Sequence, residues 1–161
     1  MHTTKIHFDV RRFRPEFDCS AIGTLYQTSI ENLARADYEP EALAAWCQWG
    51  KNTHGIGLTL NRGQTLIAQY SGRIAGFAQR QPKTHINMLY IHPDFARRGI
   101  GKALVEELAL TAKREGVMRL TVNASRTSRG LFEKAGFIGS APEWVERENV
   151  KIERFPMSLE L

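Results

Sequence analysis

The chain has 161 residues, 42% apolar and 24% charged, enough for one domain with a substantial core and unlike the composition of a disordered polymer. Its formal net charge of +5 favours anionic partners, but the Lys and Arg residues are dispersed, with no basic run interleaved with aromatics, which argues against a nucleic-acid interface. No apolar run approaches the roughly 18–20 residues of a membrane span, and Met1 to Lys5 lead into an alternating pattern with no apolar signal segment. Cys19 and Cys47 lack a CxxC partner or a histidine at ligand spacing. These features predict a cytoplasmic protein with reduced thiols, no metal and no membrane partner.

No repeat or linker divides the chain, so residues 1–161 are expected to form a single domain. Alternation of Ile6, Phe8 and Val10 predicts a strand over Lys5 to Arg11. Ile22, Leu25, Tyr26, Ile30 and Leu33 recur at helical spacing within a helix from about Cys19 to Ala34. Pro40 sits at the first position of a short second helix, Glu41 to Trp46. Gly50 to Gly63, rich in Gly, Asn and Thr, reads as a loop. The runs Thr65 to Tyr70 and Arg73 to Ala78 flank Ser71-Gly72, a hairpin signal.

His85 to Ile91 is expected to be a central strand, with Ile86, Met88 and Tyr90 on one face and Asn87, Leu89 and Ile91 on the other. From Gly101 to Glu115 the stripe Leu104, Val105, Leu108, Ala109 and Ala112 predicts a helix ended by Gly116. A short strand, Leu120 to Val122, follows. Ser125 is placed to cap another helix that ends at Gly136, with Phe137 making the contact that follows a glycine stop. Val150 to Leu161 is expected to return to the sheet. The unit from His85 to Val122 is thus strand, helix, strand, a crossover that joins parallel strands.

The chemistry concentrates where Ile91 ends its strand and Arg98-Gly99-Ile100-Gly101-Lys102 opens a helix. A helix start leaves backbone N–H groups unpaired and partly positive, so it favours phosphate. Gly99 and Gly101 remove side chains that would hold a phosphate off those amides, and Arg97, Arg98 and Lys102 add charge. Two nucleotide loops are excluded. A Walker A loop needs a glycine at Ala96 and Ser or Thr at Ala103, and a dinucleotide fingerprint needs a glycine at Leu104.

The stretch Met88 to Leu104 resembles the acetyl-CoA-binding motif of the GNAT acetyltransferases, and Leu131-Phe132-Glu133-Lys134-Ala135-Gly136-Phe137 resembles that family's next motif. The hairpin Ile67 to Phe77 fits in position, so the likeness spans most of residues 65–137. Ala36-Asp37-Tyr38 ahead of Pro40-Glu41, Ala44-Ala45-Trp46 and Val145-Glu146-Arg147 look like a YafP-type subgroup. The resemblance implies an α/β fold of the α+β kind: a mixed, mostly antiparallel sheet with flanking helices and a splayed parallel central strand pair. It implies an N-acetyltransferase, with acetyl-CoA as donor, no metal, and a primary amine of a small molecule or protein as acceptor. A homodimer is left open.

By the same resemblance, backbone at Leu89, Tyr90 and Ile91 would hold the pantetheine arm. Amides from Arg97 through Arg98, Gly99, Ile100, Gly101 and Lys102 to Ala103 would hold the pyrophosphate. Asn123 and Ser125 would lie near the thioester, and Lys134 near the phosphates. The pattern departs from the family at Ala96, often Gln or Arg in relatives, and at Phe132. Many relatives carry there a Tyr that protonates the leaving thiolate; Phe cannot.

Direct attack by an amine requires a neutral nucleophile, a polarised carbonyl and a proton for the thiolate. Tyr90 and Ser125 are the remaining candidate donors. Glu146 and Glu148, in the late region that borders the acceptor in relatives, are candidate bases; surface charge is the plainer reading of each. His54, His85 and His92 read as structural or turn residues. Tyr38, Trp46 and Trp49 read as core, or as lining for an acceptor pocket. A CoA-binding regulatory module without turnover is the competing reading that Phe132 motivates.

Overall fold

The computed structural model describes residues 7–33, 38–147 and 149–161. Ala36, Asp37 and Glu148 lie outside that range. The elements in chain order are β1 (Asp9–Arg12), α1 (Pro15–Leu33), α2 (Pro40–Cys47), α3 (Thr53–Leu60), β2 (Gln64–Tyr70), β3 (Arg73–Arg80), β4 (His85–Ile91), α4 (Ile100–Arg114), β5 (Arg119–Ala124), α5 (Arg129–Lys134), β6 (Ile138–Gly139), β7 (Glu143–Arg147) and β8 (Val150–Glu160).

One sheet has the order β1-β2-β3-β4-β5-β8-β6, and β7 pairs with β8. Every pairing is antiparallel except β4 with β5. Two cores flank the sheet. Against one face, α4 and α5 bury Leu104, Leu108, Phe132 and Phe137 with Ile86, Leu120 and Val122. Against the other, α1, α2 and α3 bury Ile22, Tyr26, Ile30, Leu43 and Ile56 with Ile67 and Phe77. Among the described residues, no helix is long and apolar enough to cross a membrane.

The expected helices and hairpin form for the expected reasons. Ser71 and Gly72 both take positive φ, 45° and 77°, as a two-residue turn matched to strand twist requires. Gly116 ends α4 at φ 82°, with its own N–H on Lys113 O and that of Val117 on Ala112 O. Gly136 ends α5 in the same way, with Phe137 N–H on Phe132 O at 3.0 Å. Buried side chains such as Leu104 and Leu108, both at 0% exposure, each contribute about 1.5–3 kcal/mol.

Three expectations need correction. Gly50 to Gly63 is not a loop: a 3-10 turn over Gln48–Lys51 leads into α3, which Asn52 caps by accepting Gly55 N–H at 2.9 Å. Ile56 and Leu60, one turn apart, bury there and outweigh the low helix propensity of Gly55 and Gly57. The faces of β4 also differ from simple alternation. Gln79 pairs with Met88 and Arg80 with Ile86, so a bulge at Asn87 turns Ile86 toward α4 with Leu89 and Ile91, while Met88 and Tyr90 face the α1–α2 layer. Finally, β1 runs from Asp9 to Arg12, with Val10 exposed.

Candidate active site

β4 is seven residues long, yet it pairs with β5 only through His85 with Thr121 and Ile86 with Val122. Beyond Ile86 the strands part. β4 stays on β3 as far as Ile91 opposite Gly76, while β5 stays on β8 through Ala124 opposite Phe155. The bulge at Asn87 sits where the parting begins, and its side-chain amide donates to Gln79 Oε1 at 2.7 Å. Leu89, Tyr90 and Ile91 therefore line one wall of a gap within the sheet. Asn123, exposed and on the face opposite Val122 and Ala124, stands on the other.

At the end of β4 the chain turns through His92-Pro93-Asp94-Phe95. His92 N–H reaches Ala75 O at 2.8 Å, and Phe95, 5% exposed, anchors the turn in the core. Asp94 accepts from Arg73 at 3.0 Å, which holds its carboxyl below the usual range. Arg97 and Gly99 then take left-handed backbone, at φ 58° and 84°, before α4 begins. Such alternation turns successive N–H groups toward one concavity.

Among the described residues, no acceptor meets the N–H of Arg97, Arg98, Gly99, Ile100, Gly101 or Lys102; the first intrahelical bond is Ala103 N–H to Gly99 O at 3.0 Å. Arg97 and Arg98 are exposed. Lys102 lies 3.6 Å from Glu106. The donor set is what a diphosphate requires. The glycines differ in purpose from the sequence expectation. Gly99 is needed for its backbone angle, whereas a Cβ on Gly101 would strike Leu131 Cδ1, so Gly101 seats α5 against α4. Lys134 is exposed at the end of α5, and Phe132 is 1% exposed with its ring edge-on to Phe137 at 5.2 Å.

Ser125 caps the turn after β5. Its hydroxyl accepts Ser128 N–H at 3.0 Å and Ser128 Oγ accepts Ser125 N–H at 3.0 Å, a reciprocal cap, although regular helix begins only at Arg129. Tyr90 lies in the aromatic cluster of the α1–α2 layer, 4.6 Å from the Tyr26 ring, and its Oη accepts Trp46 Nε1–H at 3.2 Å. Glu146 is exposed on β7, on the face opposite Val145, and no described contact joins it to Tyr90 or Ser125.

The structure gives two further residues contacts that the sequence reading did not assign. His85, at the paired end of β4 and β5, lies 2.7 Å from Thr121 Oγ1; burial, with the charge of Arg154, pushes its pKa below the ordinary histidine value. Tyr38, 7% exposed, accepts Arg126 N–H at 2.6 Å, and its ring meets Trp46 edge-on at 5.3 Å. Sequence proximity gives no hint of the second contact, since 88 positions separate the partners. Among the described residues, no three His, Cys, Asp or Glu side chains gather as a metal site.

Comparison with known proteins agrees with this geometry. The chain is 27% identical over 131 residues to the uncharacterized N-acetyltransferase YafP of Escherichia coli strain K12, covering 81% of each. It superposes with a TM-score of 0.94 and 30% identity on a GCN5-related N-acetyltransferase from Rhodopseudomonas palustris, over the whole of both chains. It shares its fold with the PaiA N-acetyltransferase of Thermoplasma acidophilum, solved in complex with coenzyme A, at a TM-score of 0.78 and 18% identity over 97% of this chain and 100% of that one. The model of the acetyltransferase (GNAT) domain matches residues 34–161. With that match and the parted β4–β5 pair, the chain belongs to the GNAT acetyltransferases.

Proposed function

We propose that this acetyltransferase takes its acetyl group from acetyl-CoA and passes it to a primary amine of a small molecule or protein, the amine attacking the thioester directly. The observation that carries this reading is the run of unpaired amides from Arg97 to Lys102 at the mouth of a gap between parallel strands. Those amides and Arg97 and Arg98 hold the pyrophosphate; Lys134 adds charge nearby, and the Ala103 amide closes the loop onto the helix. Main-chain groups of Leu89, Tyr90 and Ile91 bind the pantetheine amides as a neighbouring strand would. Asn123 and Ser125 border the thioester from the other wall, and an N–H at the parted strand polarises its carbonyl. Phe132, buried against Phe137, brings no polar atom to the site.

A lysine-like amine has a pKa of about 10.4, so the acceptor sheds a proton to water or a base before attack. Calorimetric titration with CoA, followed by single-turnover transfer from radiolabelled acetyl-CoA to an amine panel, tests the reading. Binding in the micromolar range with transfer to at least one amine is the expected result. Binding without transfer to any amine would favour a regulatory CoA module, and no binding at all would refute the donor.

A further inference from the structure

The two walls of the gap are joined on the α1–α2 side by an aromatic bridge. From β4, Tyr90 Oη accepts Trp46 Nε1–H; Trp46 meets Tyr38 edge-on; and Tyr38 Oη accepts Arg126 N–H just past the end of β5. An acyl transfer from sulfur to nitrogen needs a proton at the sulfur, and the hydroxyls around the gap are unequal to that task. Phe132 has none. Tyr90 is packed between Tyr26 and Phe77 with the neutral Trp46 indole N–H on its oxygen, whereas the Tyr38 phenolate would gain the Arg126 guanidinium. Ser125 and Ser128 are aliphatic alcohols, weaker acids than a phenol, and are tied to one another at 3.0 Å.

Tyr38 differs. The Arg126 N–H points at its oxygen, and the Arg126 guanidinium stands 4.4 Å over its ring. Both favour the negative charge that a departing proton leaves behind. Burial nevertheless raises its pKa above the ordinary tyrosine value, so the phenol is protonated at neutral pH and ready to donate.

We propose that Tyr38 is the proton donor of the transfer, its Oη giving its proton to the sulfur as the carbon–sulfur bond breaks. The inference rests on the acetyl-CoA reading above. The amine nitrogen forms the new carbon–nitrogen bond and sheds one proton; the carbon–sulfur bond breaks with its electron pair on sulfur; Tyr38 supplies the proton that makes the free thiol. Its oxygen is reprotonated through water by the proton the nitrogen has shed. The thioester and the amine are the only reactants consumed.

The test compares wild type with Tyr38→Phe, which keeps the ring over Arg126 and removes the hydroxyl. Thiol release from acetyl-CoA is followed with free lysine, glucosamine 6-phosphate, an alkyl diamine and water alone as acceptors, beside melting temperature and CoA affinity. A crystal structure with CoA completes the set. The expected result is a fall in kcat of about 100-fold with CoA affinity held, a melting temperature lowered only by the few degrees that losing the Arg126 hydrogen bond brings, and the phenol within hydrogen-bond reach of the sulfur or one water away. CoA seated in the gap with Tyr38 remote from the sulfur, or thiol release unchanged in Tyr38→Phe, overturns the proposal and leaves the donor reading standing. A loss of activity that tracks loss of stability or CoA affinity also overturns it, because Tyr38 is then only a latch. Failure of the wild type to bind CoA overturns both.

Discussion

Gly23 of α1 and Gly50 of the turn after α2 lie backbone against backbone: a Cβ on Gly23 would stand 2.5 Å from Gly50 O, and one on Gly50 2.9 Å from Gly23 O. This approach sets the layer that carries Trp46 and Tyr26 over the sheet. Gly23→Ala adds roughly 1 kcal/mol of helix propensity but forces two main chains apart, at about 1–3 kcal/mol. Because the atom struck is main chain, the overpacking wins. The melting temperature should drop by several degrees, at roughly 2–4 °C per kcal/mol, and the Trp46 and Trp49 emission should shift. An unchanged melting curve would contradict the contact.

The loop separates charge from backbone geometry. Removing both guanidinia in Arg97→Ala/Arg98→Ala should weaken CoA about tenfold and flatten the salt dependence of binding, with little change in stability because both side chains are exposed. Gly99→Ala leaves every charge in place but forces a side chain into the left-handed region, at about 1–2 kcal/mol. It should lower both stability and affinity. Gly101→Ala meets only the end of the Leu131 side chain, which can turn aside, so its loss of stability should be smaller. Titration calorimetry at two salt concentrations, with melting curves, checks all three.

Acid should loosen the junction of β1 and α1. Asp18, 3% exposed, takes a bidentate pair from Arg11 at 2.9 and 2.8 Å and Arg14 N–H at 2.7 Å. Burial alone would raise its pKa, but the Arg11 and Arg14 hydrogen bonds and charges outweigh it, and the pKa is lowered. With the folded value below the unfolded one, this contribution is complete above about pH 4 and lost as pH falls further. Urea midpoints followed from pH 5 to pH 2 should decline more steeply in wild type than in Asp18→Asn. Asp18→Ala, which leaves Arg11 only Gln69 and the Arg12 carbonyl as acceptors among the described residues, should cost about 2 kcal/mol at neutral pH.

His85 gives a second pH window. Its folded pKa is lowered by burial first and by Arg154 second. Its contribution to stability is therefore whole above about pH 6.5 and falls away as pH drops through the folded value. The ring resonance, assigned by its loss in His85→Gln, should titrate below the ordinary midpoint. In Arg154→Gln the midpoint should rise without reaching that ordinary value, since burial is the larger cause. A midpoint unmoved by that substitution would rule out the Arg154 contribution.

Much of this was legible before any coordinates. Ser71-Gly72 announced its hairpin, the stripe from Leu104 to Ala112 its helix, and Gly116 and Gly136 their stops, because each depends on residues close in sequence. The glycine-bearing turn into α4 was legible for the same reason. What escaped depended on distant partners. α3 forms because Ile56 and Leu60 find the core, and Asn52 ahead of that pair was the one local clue. The bulge at Asn87 follows from pairing with β3, and strict alternation therefore misassigned Ile86. Tyr38 and Trp46 read as core or as lining for an acceptor pocket, but their contacts with Arg126 and Tyr90 are set by how α1 and α2 lie on the sheet.

The parted β4 and β5 give the protein two sheet edges in its interior rather than at its rim. Main-chain groups of Leu89 and Ile91, which alternate with the Tyr90 groups turned toward β3, face a space that a strand would ordinarily fill. The sheet is thus open along that line, and the proposed donor, with its amides, would complete it. Such a ligand binds the folded chain and not the unfolded one, so at a hundred times its Kd it adds about 2.7 kcal/mol to stability. In the cell, the abundance of this protein would then follow the supply of the proposed donor, since a chain without it would open and be degraded sooner.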